Sequence, residues 1–388
     1  MKKIIFVLLF VSMTASAFSQ IILGGNAPTV RALDDTNAAD VAAAAAKNAE
    51  LFTHFENALN SPVANHGLNA RLFEMLGNVP GNHTNLIRSW SNASVFSSHG
   101  ATQRALTEYQ QFAVSLGVMA AGQFGPLPGT TLGFINDFID YGTSSLEPHL
   151  RDGRDYPFGV GAQMWSVQVG LNMGFLVPNL FLGLRYGGAR IQHEDISDIE
   201  LASHSFGFFA NYQVFPHRYL DSREIINWRG LNVGTGFFSS ISDTNLIFLL
   251  HSISGPLTIE DASIYFNFDT ITHTIPLEIM TAFRFGSFFQ IPIGIGADFS
   301  FGRTIMTTGV RGNVFANPDD IAPGLEQAAP GNLSVVSGPN GQESPNGTNI
   351  KIMTGLGFVI GPMFIEFPFT YYFGTRGSNL GFTLAFSF

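Results

Sequence analysis

The feature that most constrains this chain is a regular alternation of apolar with small or polar residues over long segments. Phe289 and Ile291 share one parity, whereas Gly294 and Gly296 share the other. Successive side chains of a β-strand point to opposite faces, so a period of two predicts a strand. Alternation of the same kind occupies residues 165–175, 205–214 and 289–301. These segments are longer than the average strand of about five or six residues.

Composition restricts the environment of these strands. The 388 residues are 45% hydrophobic and only 12% charged, whereas soluble domains are about 25% charged. Beyond the N-terminus, Gly, Ser, Asn or a charge interrupts every long apolar run, and a transmembrane helix needs about 20 apolar residues. Apolar residues that alternate with a polar face over about ten residues are typical of transmembrane barrels. We therefore predict an all-β transmembrane antiparallel barrel.

The first twenty residues predict export. Lys2 and Lys3 precede an apolar segment at 4–11 and the small residues Ala15-Ser16-Ala17, the pattern of a cleaved signal peptide. The net charge of −10 and the absence of Cys exclude a basic nucleic-acid footprint, a disulfide framework and a thiolate metal site. We therefore expect no nucleic-acid partner.

The alternation predicts about twelve strands, within a range of ten to fourteen, in a barrel that covers residues 111–388. We place them near residues 111–122, 158–176, 180–192, 201–214, 228–240, 245–254, 261–271, 276–286, 289–303, 348–360, 362–373 and 379–388. Short connections alternate with long ones, as in barrels with short periplasmic turns and longer outer loops. The predicted short connections include 177–179, 255–256, 286–288 and 361–362, and the long ones 123–157 and 304–347. This pattern predicts a periplasmic C-terminus and an irregular outer loop at 304–347.

Residues 21–110 predict helices instead of strands. Asp34 to Asn37 offer N-cap side chains before the alanine-rich segment 38–46, and Leu86, Ile87 and Trp90 indicate a further short helix. A helical segment before a barrel either plugs the lumen or forms a periplasmic subdomain. The predicted organisation is therefore a signal peptide at 1–20, a helical plug or periplasmic segment at 21–110, and the barrel.

Charged residues on the predicted strands fall on the polar parity, since charge on the lipid face is costly. The lumen-facing candidates are Arg185, Asp269, Glu278, Arg284, Asp298, Lys351 and Glu366. Such charges could pair to brace the wall or hold a plug, because buried charges need partners. A selectivity ring for a permeating solute is the alternative.

Enzymatic residues are poorly placed in this sequence. In Ser203-His204-Ser205 the His and Ser are adjacent, so a strand points them to opposite faces. One predicted outer loop contains the possible protease residues, but a solvated acidic loop explains them more readily: His193, Glu194, Asp195, Asp198 and Glu200. We predict no catalytic residues, no metal site, no cofactor and no enzyme activity, with a lipase or protease as a remote alternative.

The final segment, in which Phe382, Leu384, Phe386 and Phe388 alternate with small residues, resembles the last strand of bacterial outer-membrane barrels. The resemblance implies an outer-membrane location, contact with its lipids, and recognition of Phe388 by the barrel-assembly machinery. The layout also resembles barrels of the fatty-acid-transporter type, which carry an N-terminal hatch. It departs from them in having twelve predicted strands instead of fourteen, and in lacking the Asn-Pro-Ala hatch motif.

Two functions follow from these expectations. The first is passive passage of a small or hydrophobic solute through a barrel that the N-terminal helical segment gates or narrows. The alternative is a structural or surface-interaction outer-membrane protein with a closed lumen. The sequence does not identify the solute.

Overall fold

The computed structural model describes residues 21–33, 36–60, 84–99, 112–124, 158–192, 199–220, 225–249, 257–316 and 325–388. These residues form two helices, α1 (Ala38–Asn60) and α2 (Thr84–Ser98), and fifteen strands. Neither of these helices is both long and apolar enough to cross a bilayer. The strands are β1 Ile21–Asn26, β2 Thr29–Ala32, β3 Phe112–Phe124, β4 Phe158–Asn172, β5 Leu180–Gln192, β6 Ile199–Phe215, β7 Arg218–Tyr219, β8 Ile226–Leu249, β9 Leu257–Phe285, β10 Phe289–Ala316, β11 Leu325–Ala329, β12 Gly331–Glu343, β13 Thr348–Ile360, β14 Met363–Tyr372 and β15 Gly377–Ser387.

Ten of these strands form a closed antiparallel barrel. Its order is β3, β4, β5, β6, β8, β9, β10, β13, β14 and β15. The last strand closes on the first, with pairs that run from Gly377↔Gln123 to Ser387↔Ala113. Closure removes the unpaired edges that an open sheet would expose. The predicted antiparallel β-barrel is therefore confirmed.

The ten strands lie at the lower end of the predicted range of ten to fourteen, and they are fewer than the twelve segments placed above because two predicted hairpins are single long strands. The segment 228–240 and residues 245–249 of the next predicted strand both belong to β8, and 261–271 and 276–285 both belong to β9. The polar run at 239–245 resembles a turn in the sequence. It nevertheless stays paired with β6, through Ser203↔Ser242 and Glu200↔Asn245. Polar composition alone does not end a strand whose backbone hydrogen bonds continue on its neighbour.

Because these strands are continuous, the connection between β8 and β9 lies at a different end of the barrel from the one predicted. β8 ends and β9 begins at the end of the barrel opposite to the turns at 286–288 and 361–362. Residues 255–256, predicted to form a short turn beside those two, lie outside the described residues. We call the end that carries the turns 173–179, 286–288 and 361–362 the short-turn end. Gly286 and Gly361 have φ values of 61° and 59° there, a conformation that glycine adopts without strain.

The strand faces follow the predicted parity over most of the barrel. On β10, Ile293, Ile295 and Phe299 are exposed, whereas Gln290 and Asp298 are buried. Exposed apolar side chains form the outer face, and the polar parity faces inward. This is the pattern of a wall with lipid outside.

The structure divides into two compact units, and β8, β9 and β10 contribute residues to both. One unit contains most of the barrel together with α2. The other contains residues 21–60, together with parts of 247–266 and 307–341, among the described residues. In this second unit β1 pairs with β12 and β2 with β11. The prediction of helix throughout 21–110 is therefore wrong for β1 and β2, and the predicted loop 304–347 contains β11, β12 and the end of β10.

An N-cap residue begins helix α1, and one asparagine attaches the helix to β2 in the second unit. Asn37 Oδ1 accepts a hydrogen bond from the Ala39 backbone N–H at 3.0 Å, as an N-cap does. Asn48 pairs with both backbone groups of Val30, at 2.8 Å and 3.0 Å. Leu51 is buried, whereas Phe52 is 53% exposed. Helix α1 therefore packs by one face only.

Candidate lumen site

Helix α2 is buried on all of its sides, unlike a surface helix, which exposes one polar face. Twelve of its residues, apolar and polar, are buried. The helix contacts inward-facing residues of β3, β4, β8, β9, β14 and β15. We refer to residues 84–98 as the enclosed helix. The sequence predicted its first turns but placed a break at 97–100, where the helix ends.

Two glycines of β4 allow the enclosed helix to approach the wall closely. A Cβ atom at Gly159 would lie 2.2 Å from the Ser89 carbonyl oxygen, and one at Gly161 would lie 2.5 Å from that of Ala93. Because these obstacles are backbone atoms, they cannot move aside as a flexible side chain could. Glycine at these positions is therefore a packing requirement.

Aromatic pairs fix the helix against other strands. Trp90 stacks on Phe268 of β9 at 4.8 Å between ring centroids and meets Phe158 of β4 edge-on at 6.0 Å. Phe96 stacks on Tyr372 of β14 at 3.8 Å. Stacked and edge-on pairs of this kind add about 0.5–1.5 kcal/mol each beyond the area they bury.

Polar contacts complete the attachment. Asn92 donates to Gln123 of β3 at 2.8 Å and accepts from the Asn346 backbone N–H at 2.8 Å. Ser94 donates to Ser240 of β8 at 3.1 Å. Arg88 and Glu343 form an ion pair of 2.7 Å that is partly exposed. The enclosed helix is therefore held by directional contacts to several strands at once.

Immediately after the helix, four buried side chains form the lumen charge cluster: His99, Glu278, Asp298 and Lys351. Their residues are between 0% and 5% exposed. His99 Nε2 lies 3.0 Å from Asp298 Oδ2, and Lys351 Nζ lies 2.6 Å from Asp298 Oδ1. Lys351 Nζ also donates to Glu278. The cluster joins the end of the enclosed helix to β9, β10 and β13.

The cluster has the ligand types of a metal site, but a lysine occupies it. One ligand atom each from His99, Glu278 and Asp298 lies within 4.8 Å of the others. Lys351 Nζ contacts both carboxylates and lies 3.2 Å from His99 Nε2. In this structure the ammonium group of Lys351 is therefore the cation that these three residues face.

The predicted lumen-facing residues divide into three groups. Glu278, Asp298 and Lys351 come together in the cluster, whereas the buried Arg185 and Glu366 lie apart from it. Arg284 is partly buried and donates to Gln290 at 3.1 Å.

The prediction that Asp269 faces the lumen is wrong. In the continuous strand β9, the even residues from Phe266 to Ala282 face inward and the odd residues outward. Asp269 is therefore exposed, on the same face as Ile271. The error has the same origin as the strand count, because splitting β9 into two strands allowed each half its own parity.

A cluster of buried apolar residues fills the barrel near the short-turn end. Phe181, Phe209 and Phe238 are each 1% exposed and pack with Val359 and Phe364. Val359 and Phe364 flank the 361–362 turn, and Phe181 follows the 173–179 turn. We call these residues the aromatic layer. They occupy inward positions, where a wide aqueous pore would carry polar groups.

His204 and Ser205, the pair considered for hydrolysis, lie on opposite faces of the barrel wall. His204 is on the exposed face of β6, whereas Ser205 is 4% exposed and accepts a hydrogen bond from Gln163. His193 to Asp195 lie outside the described residues.

Sequence reasoning missed His99 and Gln163. His99 sits at a predicted helix break, and Gln163 is an uncharged residue on β4, so neither carried a local signal. Gln163 donates to the Ser98 carbonyl oxygen at 3.4 Å and accepts from Arg185. It links the end of the enclosed helix to β5.

Structural comparisons return outer-membrane barrels of low similarity. The translocator domain of the autotransporter NalP from Neisseria meningitidis is 9% identical, with a TM-score of 0.25, and the match covers 72% of this chain and 89% of that one. The toluene transporter TbuX from Ralstonia pickettii is 9% identical, with a TM-score of 0.23, and the match covers 77% and 97%. A FadL homologue from Pseudomonas aeruginosa is 8% identical, with a TM-score of 0.24 and coverage of 79% and 98%. These scores are low, so the fold assignment rests on the strand pairing described above.

Sequence comparisons are more decisive. A search of curated proteins finds no match. The model of one family, described as Lsa36-like, matches residues 38–386. This range includes α1, the enclosed helix, the lumen charge cluster and all but the last residue of the ten-stranded barrel. The chain belongs to the Lsa36-like family.

Proposed function

We propose that the protein resides in a bacterial outer membrane as a barrel with a closed lumen, and that its activity lies in contacts made outside the lumen. The observation that carries this proposal is the burial of the enclosed helix on all sides. A helix whose Ser91, Ala93 and Phe96 are each 0% exposed leaves no water-filled path along its surface within the described part of the barrel. A structural or surface-interaction protein needs no such path.

Two further features support a closed lumen, and a third supports the outer-membrane location. The aromatic layer fills inward positions near the short-turn end. The charged groups of the lumen charge cluster pair with one another instead of facing a solute. The exposed apolar residues of the outer face, such as Leu116, Val118 and Ile295, suit the lipid contact that an outer-membrane location requires.

A gated channel is the second candidate, and one observation favours it. Several wall contacts of the enclosed helix are made by small polar side chains, such as Asn92 and Ser94. Water can replace such contacts at modest cost, since a net hydrogen bond contributes only about 0.5–1.5 kcal/mol. In this alternative the helix is a removable plug, and a small or hydrophobic solute passes after it moves.

A reversible cross-link separates the two functions. The natural chain contains no Cys, and Ser94 Oγ lies 3.1 Å from Ser240 Oγ, so the double variant Ser94→Cys/Ser240→Cys offers one disulfide between the enclosed helix and β8. Each single variant is the matched control. Purified full-length protein is inserted into planar bilayers, and ion conductance is recorded before and after reduction.

The closed-lumen proposal expects no conductance from the natural chain and none from the double variant in either redox state. A channel expects conductance from the natural chain, its loss in the oxidised double variant, and its return on reduction. That pattern would overturn the closed lumen and establish the gated channel.

The chain end supplies a further part of the proposal. Phe388 is 60% exposed, and its backbone pairs with Phe112 at 2.8 Å and 3.0 Å. Its ring therefore contributes little packing to the barrel. We assign it the role of a recognition residue for the barrel-assembly machinery.

A further inference from the structure

Arg185 is a buried cation with one hydrogen-bond partner among the described residues. It lies on the inward face of β5 and is 2% exposed. Its Nη2 donates to Gln163 Oε1, whereas Nε and Nη1 have no hydrogen-bond partner within the described part of the chain. No carboxylate pairs with it among those residues. An isolated charge in a protein interior is strongly unfavourable unless something compensates it.

A second orphaned group lies in the same cross-strand row. Ser115 of β3 pairs with Gln168 of β4, and Gln168 pairs with Arg185 of β5. All three residues face inward and are 1–2% exposed. Ser115 Oγ also lacks a hydrogen-bond partner in the described residues. Adjacent strands are about 4.8 Å apart, so a guanidinium on β5 can reach the space in front of β4.

The chemistry of the orphaned groups selects the ligand. A guanidinium has donors and no acceptor, and Nε and Nη1 together carry three unused N–H bonds. A serine hydroxyl can add one more donor. The missing partner must therefore accept hydrogen bonds, and the uncompensated positive charge favours an anion over a neutral acceptor.

The surroundings limit the size of that anion. On the short-turn side lie Phe181 and Phe209 of the aromatic layer, and Phe238 lies in the same cross-strand row as Arg185, beyond Gly207; each of these rings is 1% exposed. On the other side Gln163 joins Arg185 to the Ser98 carbonyl oxygen at the end of the enclosed helix. A site enclosed in this way accepts an ion of few atoms and excludes a lipid headgroup or a metabolite.

We propose that Arg185 and Ser115 bind a halide-sized inorganic anion inside the barrel, with chloride as the ion tested. The bound ion compensates the guanidinium and thereby stabilises β5 beside the end of the enclosed helix. This inference concerns an internal site and stands whether or not the barrel conducts.

The test is the dependence of thermal stability on the anion. The full chain in detergent is unfolded in sodium chloride, in sodium bromide and in sodium gluconate at one ionic strength. A ligand that binds only the folded state raises the melting temperature with its concentration. We expect a rise of about 1–3 °C for each tenfold increase in chloride above the dissociation constant. Bromide should act similarly, and gluconate, which is too large, should have no effect.

The variants identify the residues. Arg185→Gln and Ser115→Ala should lose or weaken the chloride dependence, whereas Arg190→Gln, an exposed arginine on the same strand, should keep it. In gluconate, Arg185→Gln should be more stable than the natural chain, because it no longer buries an unpaired charge. An Arg185→Gln variant that keeps the full chloride dependence would overturn the proposal, and so would a natural chain that shows none.

A structural measurement keeps the proposal falsifiable if Arg185→Gln does not fold. Crystals of the natural chain grown in bromide should give an anomalous peak within hydrogen-bonding distance of the Arg185 guanidinium. A water molecule there, with no anomalous signal, would contradict the anion site.

Discussion

Replacing Lys351 by Met tests whether the lumen charge cluster holds the barrel interior together. Lys351 Nζ lies 2.6 Å from Asp298 and also binds Glu278, and all three residues are 5% exposed or less. Lys351→Met preserves much of the volume of the side chain and removes its charge. Asp298 then keeps His99 at 3.0 Å, whereas Glu278 loses the only hydrogen-bond partner described for it.

The expected cost follows from that arrangement. Removing one partner of a buried ion pair costs about 3–5 kcal/mol, because the other charge stays buried and uncompensated. We therefore expect Lys351→Met to lower the free energy of unfolding by about 4 kcal/mol. The double variant Lys351→Met/Glu278→Gln removes the stranded charge as well, and it should recover about 2 kcal/mol or more of that loss.

The assay is urea unfolding of the full chain in detergent micelles, followed by tryptophan fluorescence, with linear extrapolation to water. Trp90 in the enclosed helix makes the signal sensitive to the barrel interior, because it is 3% exposed. Glu278→Gln alone completes the double-mutant cycle. A cost below about 1 kcal/mol for Lys351→Met, or a double variant no more stable than the single one, would refute the reasoning.

Three other predictions follow from the same contacts. Gly161→Ala should destabilise the protein by about 1–3 kcal/mol in the urea assay, because its Cβ would lie 2.5 Å from a helix carbonyl oxygen. Gly357→Ala, where the nearest atom is 3.4 Å away, should change stability by no more than about 0.5 kcal/mol, and equal effects would contradict the close approach. Lys351→Ala should bind Co²⁺ in a saturable 1:1 manner by visible absorption, since it removes the ammonium from three metal-ligand side chains. Binding by the natural chain, or none by the variant, would refute that view of the cluster. Phe388→Ser should lower the amount of folded protein in the outer membrane but leave the urea midpoint of the purified protein unchanged, and a large loss of stability would show a packing role instead.

The sequence correctly predicted those parts of the architecture that depend on the two-residue alternation within a single segment. Strand faces on β4, β6 and β10, the turns at 286–288 and 361–362, and the closing strand all depend on neighbouring residues along the chain. Alternation and turn chemistry carry that information directly. The predicted class of fold follows from these local patterns together with the low charge content.

The errors arise where pairing partners decide the structure. Residues 239–245 and 269–275 contain the polar residues of a turn, yet β8 and β9 continue through them because β6 and β10 supply backbone partners. When one strand is predicted as two, the inward face of each half is assigned separately. The predicted face of Asp269 was therefore wrong as well. Cross-strand register depends on the whole closed barrel, so the sequence of a single segment does not determine it.

The lumen site was only partly predictable for a similar reason. Parity placed Glu278, Asp298 and Lys351 on the inner face, but their meeting point depends on the stagger of β9, β10 and β13. His99 joins them from a helix end, where no periodic pattern exists. Arg185 was identified as inward-facing from its strand, whereas its lack of a carboxylate partner required the three-dimensional structure.

The most direct test of a closed lumen is the accessibility of the enclosed helix to a small, membrane-impermeant thiol reagent. Ser94→Cys places a near-isosteric thiol at a residue that is 4% exposed and contacts β8. Thr53→Cys, on the exposed face of α1, is the control. With protein inserted in lipid nanodiscs, which leave both membrane faces open to the reagent, we predict rapid labelling at position 53 and none at position 94 until the barrel is denatured. Comparable labelling rates at the two positions would show that solvent reaches the lumen and would contradict the closed barrel.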